Sequence, residues 1–199
     1  MARPKDLNKR ERILKAAIKI ISKKGFFNAS ISEIAKVAKV ADGSVYTYFK
    51  GKNELLVEAF KLVLSRILNN VEKELQTTND PIEKIKIIIK MHVEYMENHP
   101  DTANFLQIQL RQSNKEIRMH IRNEMRKYYR ILGGILQEGI QQGKIRNDVN
   151  KRVIGSLIFG TVDEIITSWV LSEKDERLSD KLDDIYKVVL TGIKAEGRR

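Results

Sequence analysis

Apolar residues recur at helical spacing along almost the whole chain, and this periodicity constrains the fold more than any other feature. Only three prolines interrupt the pattern, at positions 4, 81 and 100, and no segment keeps the alternation of a half-buried strand. Because apolar residues three and four positions apart share one face of a helix, the pattern predicts helices throughout. We therefore expect an all-α protein of about nine helices.

Positive charge is concentrated at the N-terminal end of the chain. Residues 1–53 hold 13 Lys and Arg against 4 Asp and Glu, which is +9 of the chain's net charge of +11. A basic block joined to a nearly neutral body is typical of a protein that meets a polyanion, although a solvated basic face has the same composition.

Two short helices are predicted inside this basic block. Ser30 and Glu33 form a capping-box pattern that starts a helix, a turn of three to four residues follows, and a third helix covers Asp42 to Phe49. This tight spacing is typical of a helix-turn-helix, in which the second of the two helices enters the major groove. We expect residues 1–52 to bind DNA and residues 53–199 to form a second helical domain. The candidate DNA contacts are Ser30, Asp42, Gly43, Ser44, Tyr46, Thr47, Tyr48, Lys50 and Lys52.

The residues that most enzymes and metal sites need are scarce. The chain has no cysteine, and His92, His99 and His120 fall in no metal-binding or catalytic pattern. The N-terminus carries no apolar signal segment, and the longest apolar runs, near Ile88 and Ile158, are too short to span a bilayer. We expect a soluble, cytoplasmic protein that is not an enzyme and has no metal or cofactor.

The first quarter of the chain resembles the TetR family of regulators. The resemblance is carried by Arg12–Ala17, Gly25–Phe26, Ser30–Ala35 and Gly43–Leu56. It implies DNA contacts from Ser30, Ser44, Tyr46, Tyr48 and Lys52. The chain departs from the family at Lys39, where glycine is usual, and at Ala41, where serine is usual, so we expect Asp42 to cap the third helix instead.

The eighth predicted helix, which ends near Leu171, is apolar nearly all round and must be covered on every side. Gly155 and Gly160 permit close approach of another helix, and the ninth helix offers a second apolar face. The pattern predicts a twofold dimer, although a helix buried centrally in a monomer has the same pattern. The candidate interface residues are Phe159, Ile166, Trp169, Val170, Tyr186, Val189, Leu190 and Ile193.

The seventh helix carries Arg118, Arg122, Arg126 and Arg130 at intervals of four, with apolar residues on its other face. A solvated basic ridge explains this pattern, and so does a site for a ligand with an anionic head and an apolar tail.

The C-terminal part resembles the FadR branch of the TetR family, through Leu110–Asn114, Gly134–Ile145 and Ile158–Val170. That branch represses fatty-acid degradation genes and leaves DNA when long-chain acyl-CoA binds. The resemblance implies an acyl chain lined by Phe105, Ile108, Met125, Tyr128, Leu132, Phe159 and Trp169, and a CoA moiety held by Gln107, Arg111, Arg118 and Arg122. The alternatives are a TetR-type sensor of another hydrophobic molecule, such as a drug-efflux regulator, or a nonspecific nucleoid-type DNA binder.

Overall fold

A computed structural model describes residues 7–111, 113–172 and 176–195 of the chain. Within these ranges the chain forms nine α-helices and no strand, which confirms the all-α prediction. The helices are α1 (Leu7–Asn28), α2 (Ile31–Ala38), α3 (Asp42–Tyr48), α4 (Lys52–Glu74), α5 (Pro81–Asn98), α6 (Pro100–Leu110), α7 (Lys115–Gln141), α8 (Lys151–Leu171) and α9 (Leu182–Ile193).

The chain divides into two compact units, and their limits differ from the predicted boundary between residues 52 and 53. Unit 1 comprises residues 1–65 and 101–123, and unit 2 comprises residues 66–100 and 124–199. The first part of α4, α6 from Asp101 onward and the start of α7 therefore group with the N-terminal helices. Hydrophobic spacing does not reveal this grouping of helices, because it identifies the apolar face of α6 but not the helices that cover that face.

The core of unit 1 is built from α1, α2 and α3 together with the start of α4. Its fully buried side chains include Ile13, Ile34, Val45, Phe49 and Leu55. A long-range hydrogen bond attaches α6 to this core, because the Asn104 side-chain amide donates to the Ser22 carbonyl over 2.8 Å.

Local geometry sets the ends of the first two helices. Gly25 has a φ of 74° and interrupts the helical backbone of α1, as expected of a residue that favours the left-handed region. Lys39 ends α2 with φ 55° and ψ 51°, a left-handed conformation that residues with a Cβ rarely adopt. This explains why glycine suits the position.

The core of unit 2 is formed largely by α5, α8 and α9. Its fully buried side chains include Ile85, Val93, Ile158, Ile166 and Val189. Helical periodicity places the start of the eighth helix at Asn147–Asp148, and this expectation is wrong, because α8 begins at Lys151 and the Asn150 side chain caps it. Asp148 instead pairs with Arg146 at 2.6 Å.

α8 is the one helix in the described ranges whose length and composition would allow it to cross a membrane, and the expectation based on short apolar runs missed this. One third of its apolar window is buried. Val153, Leu157, Gly160 and Glu164 lie exposed on the side of α8 opposite the core, at spacings of three and four residues. The core helix of a soluble protein can have the same length and apolar composition. Within the described residues, no other segment covers the exposed stripe of α8 formed by Val153, Leu157, Gly160 and Glu164.

Candidate functional site

The third helix presents a small, mostly polar surface. Asp42, Gly43, Tyr46 and Thr47 are exposed, and 59% of the Tyr46 surface is accessible. The prediction that Asp42 caps this helix is wrong. Asp42 is its first helical residue, and the N-cap is Ala41, which has no side-chain acceptor.

Other polar groups on α3 have intrahelical or local contacts. The Thr47 hydroxyl donates to the Gly43 carbonyl over 3.3 Å, and the Ser44 backbone N–H donates to the Ala41 carbonyl over 2.8 Å. Tyr48 is half-buried, with its ring centroid 6.4 Å from that of Phe49. With these contacts made, Tyr46 and Thr47 are the exposed side chains in the second turn of the helix.

Ser30 forms the predicted capping box. Its hydroxyl accepts from the Glu33 backbone N–H over 3.2 Å, and the Glu33 carboxylate accepts from the Ser30 backbone N–H over 3.2 Å. Lys24 donates to the same carboxylate and, together with the bonds from Ser30, lowers the pKa of Glu33 to about 2. The hydroxyl of Ser30 thus has a structural role at the start of α2.

The two lysines that follow α3 have different surroundings. Lys50 is exposed, and its backbone N–H donates to the Glu54 carboxylate over 2.6 Å. Lys52 donates its ammonium to the Phe27 carbonyl over 3.0 Å, and its Nζ lies 4.6 Å from the centroid of the Phe26 ring. Burial lowers the pKa of Lys52. Lys50 is therefore available to a ligand, while Lys52 joins the start of α4 to the end of α1.

Residues 1–53 form the basic head of the chain, and most of the positive charge in its described part is not neutralised by an ion pair. Lys15, Lys24 and Arg10 each have a carboxylate partner. Six other exposed cations have no ion pair within the residues that the structure describes: Arg12, Lys19, Lys23, Lys36, Lys39 and Lys50. Such a surface attracts a phosphate backbone and makes binding dependent on salt.

The predicted ligand-binding residues divide between the two units. In unit 1, Phe105 and Gln107 are buried, and Ile108 is 38% exposed. Arg111 donates to the Gln107 side-chain carbonyl over 2.7 Å. Arg118 and Arg122 are exposed, and Arg118 donates to the Ser113 carbonyl over 3.4 Å.

In unit 2, an aromatic cluster surrounds Phe159. The ring centroids of Tyr128, Tyr129 and His92 lie 5.4, 5.8 and 6.4 Å from that of Phe159. Met125 and Leu132 are buried as well. Burial lowers the pKa of His92 from its ordinary 6.5 to about 4 and raises that of Tyr128.

Sequence reasoning missed His92 and Tyr129 in this aromatic cluster. Nothing in the spacing of α5 alone distinguishes His92 from a surface residue. Tyr129 follows Tyr128 directly, and adjacent helical residues point about 100° apart. Both side chains become neighbours of Phe159 through packing between helices.

Many of the predicted dimer residues serve the core of unit 2. Five are buried there, namely Ile166, Trp169, Val189, Leu190 and Ile193. Phe159, Val170 and Tyr186 are half-buried, and the Tyr186 hydroxyl donates to the Lys86 carbonyl over 3.3 Å. The Trp169 indole N–H donates to the Glu176 carbonyl over 3.0 Å. The exposed apolar side chains of these two helices include Val153, Leu157 and Val188.

No cluster of three or more histidine, cysteine or carboxylate residues suited to a metal ion occurs among the described residues. The described residues form an exposed basic surface in unit 1 and an apolar, partly aromatic interior in unit 2.

Two family models match the chain. The model described as bacterial regulatory proteins of the tetR family matches residues 13–59, and that described as YsiA-like protein, C-terminal region, matches residues 60–192. The chain is also 34% identical over 181 residues to the fatty acid metabolism regulator protein of Bacillus subtilis (strain 168), a match that covers 91% of this chain and 93% of that protein.

Solved structures give the same relationship. The transcriptional regulator FadR from Bacillus subtilis in complex with stearoyl-CoA aligns with a TM-score of 0.88 at 34% identity, and covers 92% of this chain and 98% of that chain. The fatty acid degradation regulator FadR from Bacillus halodurans aligns with a TM-score of 0.87 at 31% identity over the same shares. The chain therefore belongs to the TetR family of bacterial regulatory proteins.

Proposed function

We propose that this chain is a repressor that binds a palindromic operator as a dimer, leaves it when long-chain acyl-CoA binds, and thereby controls fatty-acid degradation genes. It works in the cytoplasm through binding alone, without catalysis. The observation that carries the proposal is the likeness to the fatty acid metabolism regulator of Bacillus subtilis over nine-tenths of both chains.

The head supports the DNA-binding half of the proposal. Tyr46 and Thr47 are exposed in the second turn of α3, and the exposed Lys50 lies just after the helix. We assign α3 to the major groove, with Tyr46 and Thr47 facing base edges or phosphates and Lys50 facing the backbone. Ser30, Asp42, Gly43, Ser44, Tyr48 and Lys52 remain predicted contacts, although Ser30 and Lys52 also have the structural roles described above.

The exposed stripe of α8 supports the dimer. Val153, with 57% of its surface accessible, and Leu157, with 38%, are apolar, and Gly160 lies between Leu157 and Glu164 on the same side. A partner helix lying along this stripe would remove the apolar surface from water. Two heads would then read half-sites roughly 34–36 Å apart.

Release by a ligand follows from linkage. The acyl-CoA must bind more tightly to the arrangement of the dimer that does not fit the operator than to the arrangement that does. The difference between these two affinities sets how far the ligand shifts the dimer toward the arrangement that does not bind DNA. The apolar cluster around Phe159 provides the kind of surroundings that an acyl chain needs. A relative of this chain has been solved in complex with stearoyl-CoA.

Titration of acyl-CoA into a complex with operator DNA tests the proposal. The operator is found first by selecting sequences from a random library with the full-length protein. We expect palmitoyl-CoA to release the DNA at micromolar concentration, and free CoA and palmitate to be weaker by tenfold or more. The effector assignment fails if no acyl-CoA from eight to eighteen carbons releases the operator. The specific-repressor assignment fails if selected and scrambled DNA bind equally at physiological salt.

A further inference from the structure

Four cations form the outer face of α1 in unit 1. Between positions 12 and 23, all of which the structure describes, the only exposed side chains are Arg12, Lys15, Lys19 and Lys23. At about 100° per residue, these four side chains fall within an arc of about 80° around the helix. They span about 16 Å along its axis. We call this surface the α1 basic face.

The α1 basic face points away from the core of unit 1. The buried residues of the same stretch, among them Ile13, Ala17 and Ile21, lie on the opposite side of α1. α2 packs against α1 and also against α3. The α1 basic face is therefore a surface separate from the exposed side of α3.

Three of its four charges are not compensated. Lys15 pairs with Glu11 over 2.9 Å, and the other three cations have no ion pair among the described residues. On α5, by contrast, Lys86 and Lys90 each have a carboxylate partner three or four residues away. Because like charges four residues apart on one helix repel each other, the α1 basic face attracts a negatively charged partner.

The composition of the α1 basic face favours a polyphosphate over a protein partner. Protein interfaces are enriched in aromatic residues, methionine and arginine, and depleted in lysine. Between positions 12 and 23 no apolar or aromatic side chain is exposed, and three of the four cations are lysines. A strand of double-stranded DNA carries one charge per about 3.4 Å of helix axis, so the face matches the length of about five phosphates.

We propose that the α1 basic face is a second, sequence-independent contact for double-stranded DNA, which holds a segment other than the operator bound by α3. The chain thereby bridges two segments of DNA, which goes beyond the proposed function. Arg12, Lys19 and Lys23 bind phosphate oxygens through charge-assisted hydrogen bonds. Because such contacts read no base, the second segment can have any sequence, and its binding weakens steeply with salt.

The test compares two triple variants of the full-length protein. The α1 variant combines Arg12→Gln, Lys19→Gln and Lys23→Gln. The matched control combines Lys73→Gln, Lys90→Gln and Lys194→Gln. The control removes the same charge from exposed side chains of unit 2. Thermal melting curves establish that both variants fold.

The first measurement is capture of a second duplex. The selected operator is fixed to beads, saturated with protein and washed, and a labelled duplex of scrambled sequence is added in about 50 mM salt. We expect the wild type and the control to retain at least tenfold more labelled duplex than the α1 variant. At about 200 mM salt the affinity for the second duplex should fall roughly 40-fold, as three phosphate contacts require. All three proteins should bind the operator itself with similar affinity.

Three results of the capture experiment would overturn the inference. They are no retention by the wild type, equal retention by the α1 variant, and an equal loss in the control. A loss of operator affinity in the α1 variant as large as its loss of retention would also overturn it, because the α1 basic face would then contact the operator.

A second measurement does not depend on a specific operator or on the effector. The scrambled duplex is titrated into each protein over a range of salt concentrations. We expect the slope of log K against log salt to be shallower in the α1 variant by about 0.9 for each of the three cations that binds a phosphate. The control should keep the wild-type slope. A wild-type slope in the α1 variant would show that the inference is wrong, even where the repressor assignment holds.

Discussion

Lys39 shows how one residue affects the geometry of the head. Its backbone is left-handed, and its N–H donates to the carbonyls of Ala35 and Lys36 to end α2. A Cβ in this conformation lies too close to the following carbonyl oxygen, which costs about 1–2 kcal/mol in regular left-handed backbone. The turn therefore forms with strain that glycine would avoid.

We predict that Lys39→Gly raises the free energy of unfolding by about 0.5–1 kcal/mol, because relief of strain outweighs the added freedom of the unfolded chain. Urea unfolding measures this change. Lys39→Ala is the control, since it removes the same charge but keeps the Cβ and should give no gain. An equal gain in both variants would show that charge, and not backbone strain, is responsible.

At the scale of helices, packing of α5 against α8 determines the state of His92. The imidazole lies beside Phe159, and burial lowers the pKa of His92 to about 4. The unfolded chain, with an ordinary pKa of 6.5, therefore binds more protons than the folded chain between these two values. Stability is lost as the pH falls from 6.5 through 4.

We predict that lowering the pH from 7 to 5 removes about 1–2 kcal/mol of stability through His92 alone. In His92→Gln this component of the pH dependence disappears. Plotted against pH, the free energies of unfolding of variant and wild type therefore run parallel above pH 7 and converge below pH 6. Urea midpoints across pH 4.5–8 measure the effect. An unchanged pH dependence in the variant would contradict the neutral state of the imidazole in the folded chain.

At the scale of the whole molecule, the proposed dimer depends on the exposed stripe of α8. A substitution at Gly160 can test this interface, because a Cβ built at this position meets no atom of the same chain within 4 Å. A longer side chain there fits the single chain and would be opposed only by a partner helix.

We predict that Gly160→Gln makes the dimer at least tenfold weaker, while the helix itself gains about 0.5 kcal/mol from the better helix former. Light scattering after size-exclusion chromatography, over a range of concentrations, measures the mass. Gly134→Gln on α7 is the control, since Gly134 is also exposed and a Cβ there meets no atom within 4 Å. A dimer of unchanged strength in Gly160→Gln, or a monomeric wild type, would refute the assigned interface.

Much of this molecule follows from local sequence patterns. Helix spacing predicted the all-α fold, the Ser30–Glu33 pattern predicted the start of α2, and the Gly43–Leu56 motif led to the family. These signals act between residues a few positions apart, through backbone hydrogen bonds and one shared helix face, so a linear sequence displays them.

Only the tertiary structure shows which residues distant in sequence contact each other. It attached α6 to α1 through Asn104, placed Lys52 against Phe27, and buried Ile166 and Val189 in the core while leaving Val153 and Leu157 exposed. It also brought Lys151 and Arg152 of α8 to the same cleft as Tyr129 of α7. Periodicity shows which face of a helix is apolar, but what covers that face depends on packing between segments distant in sequence.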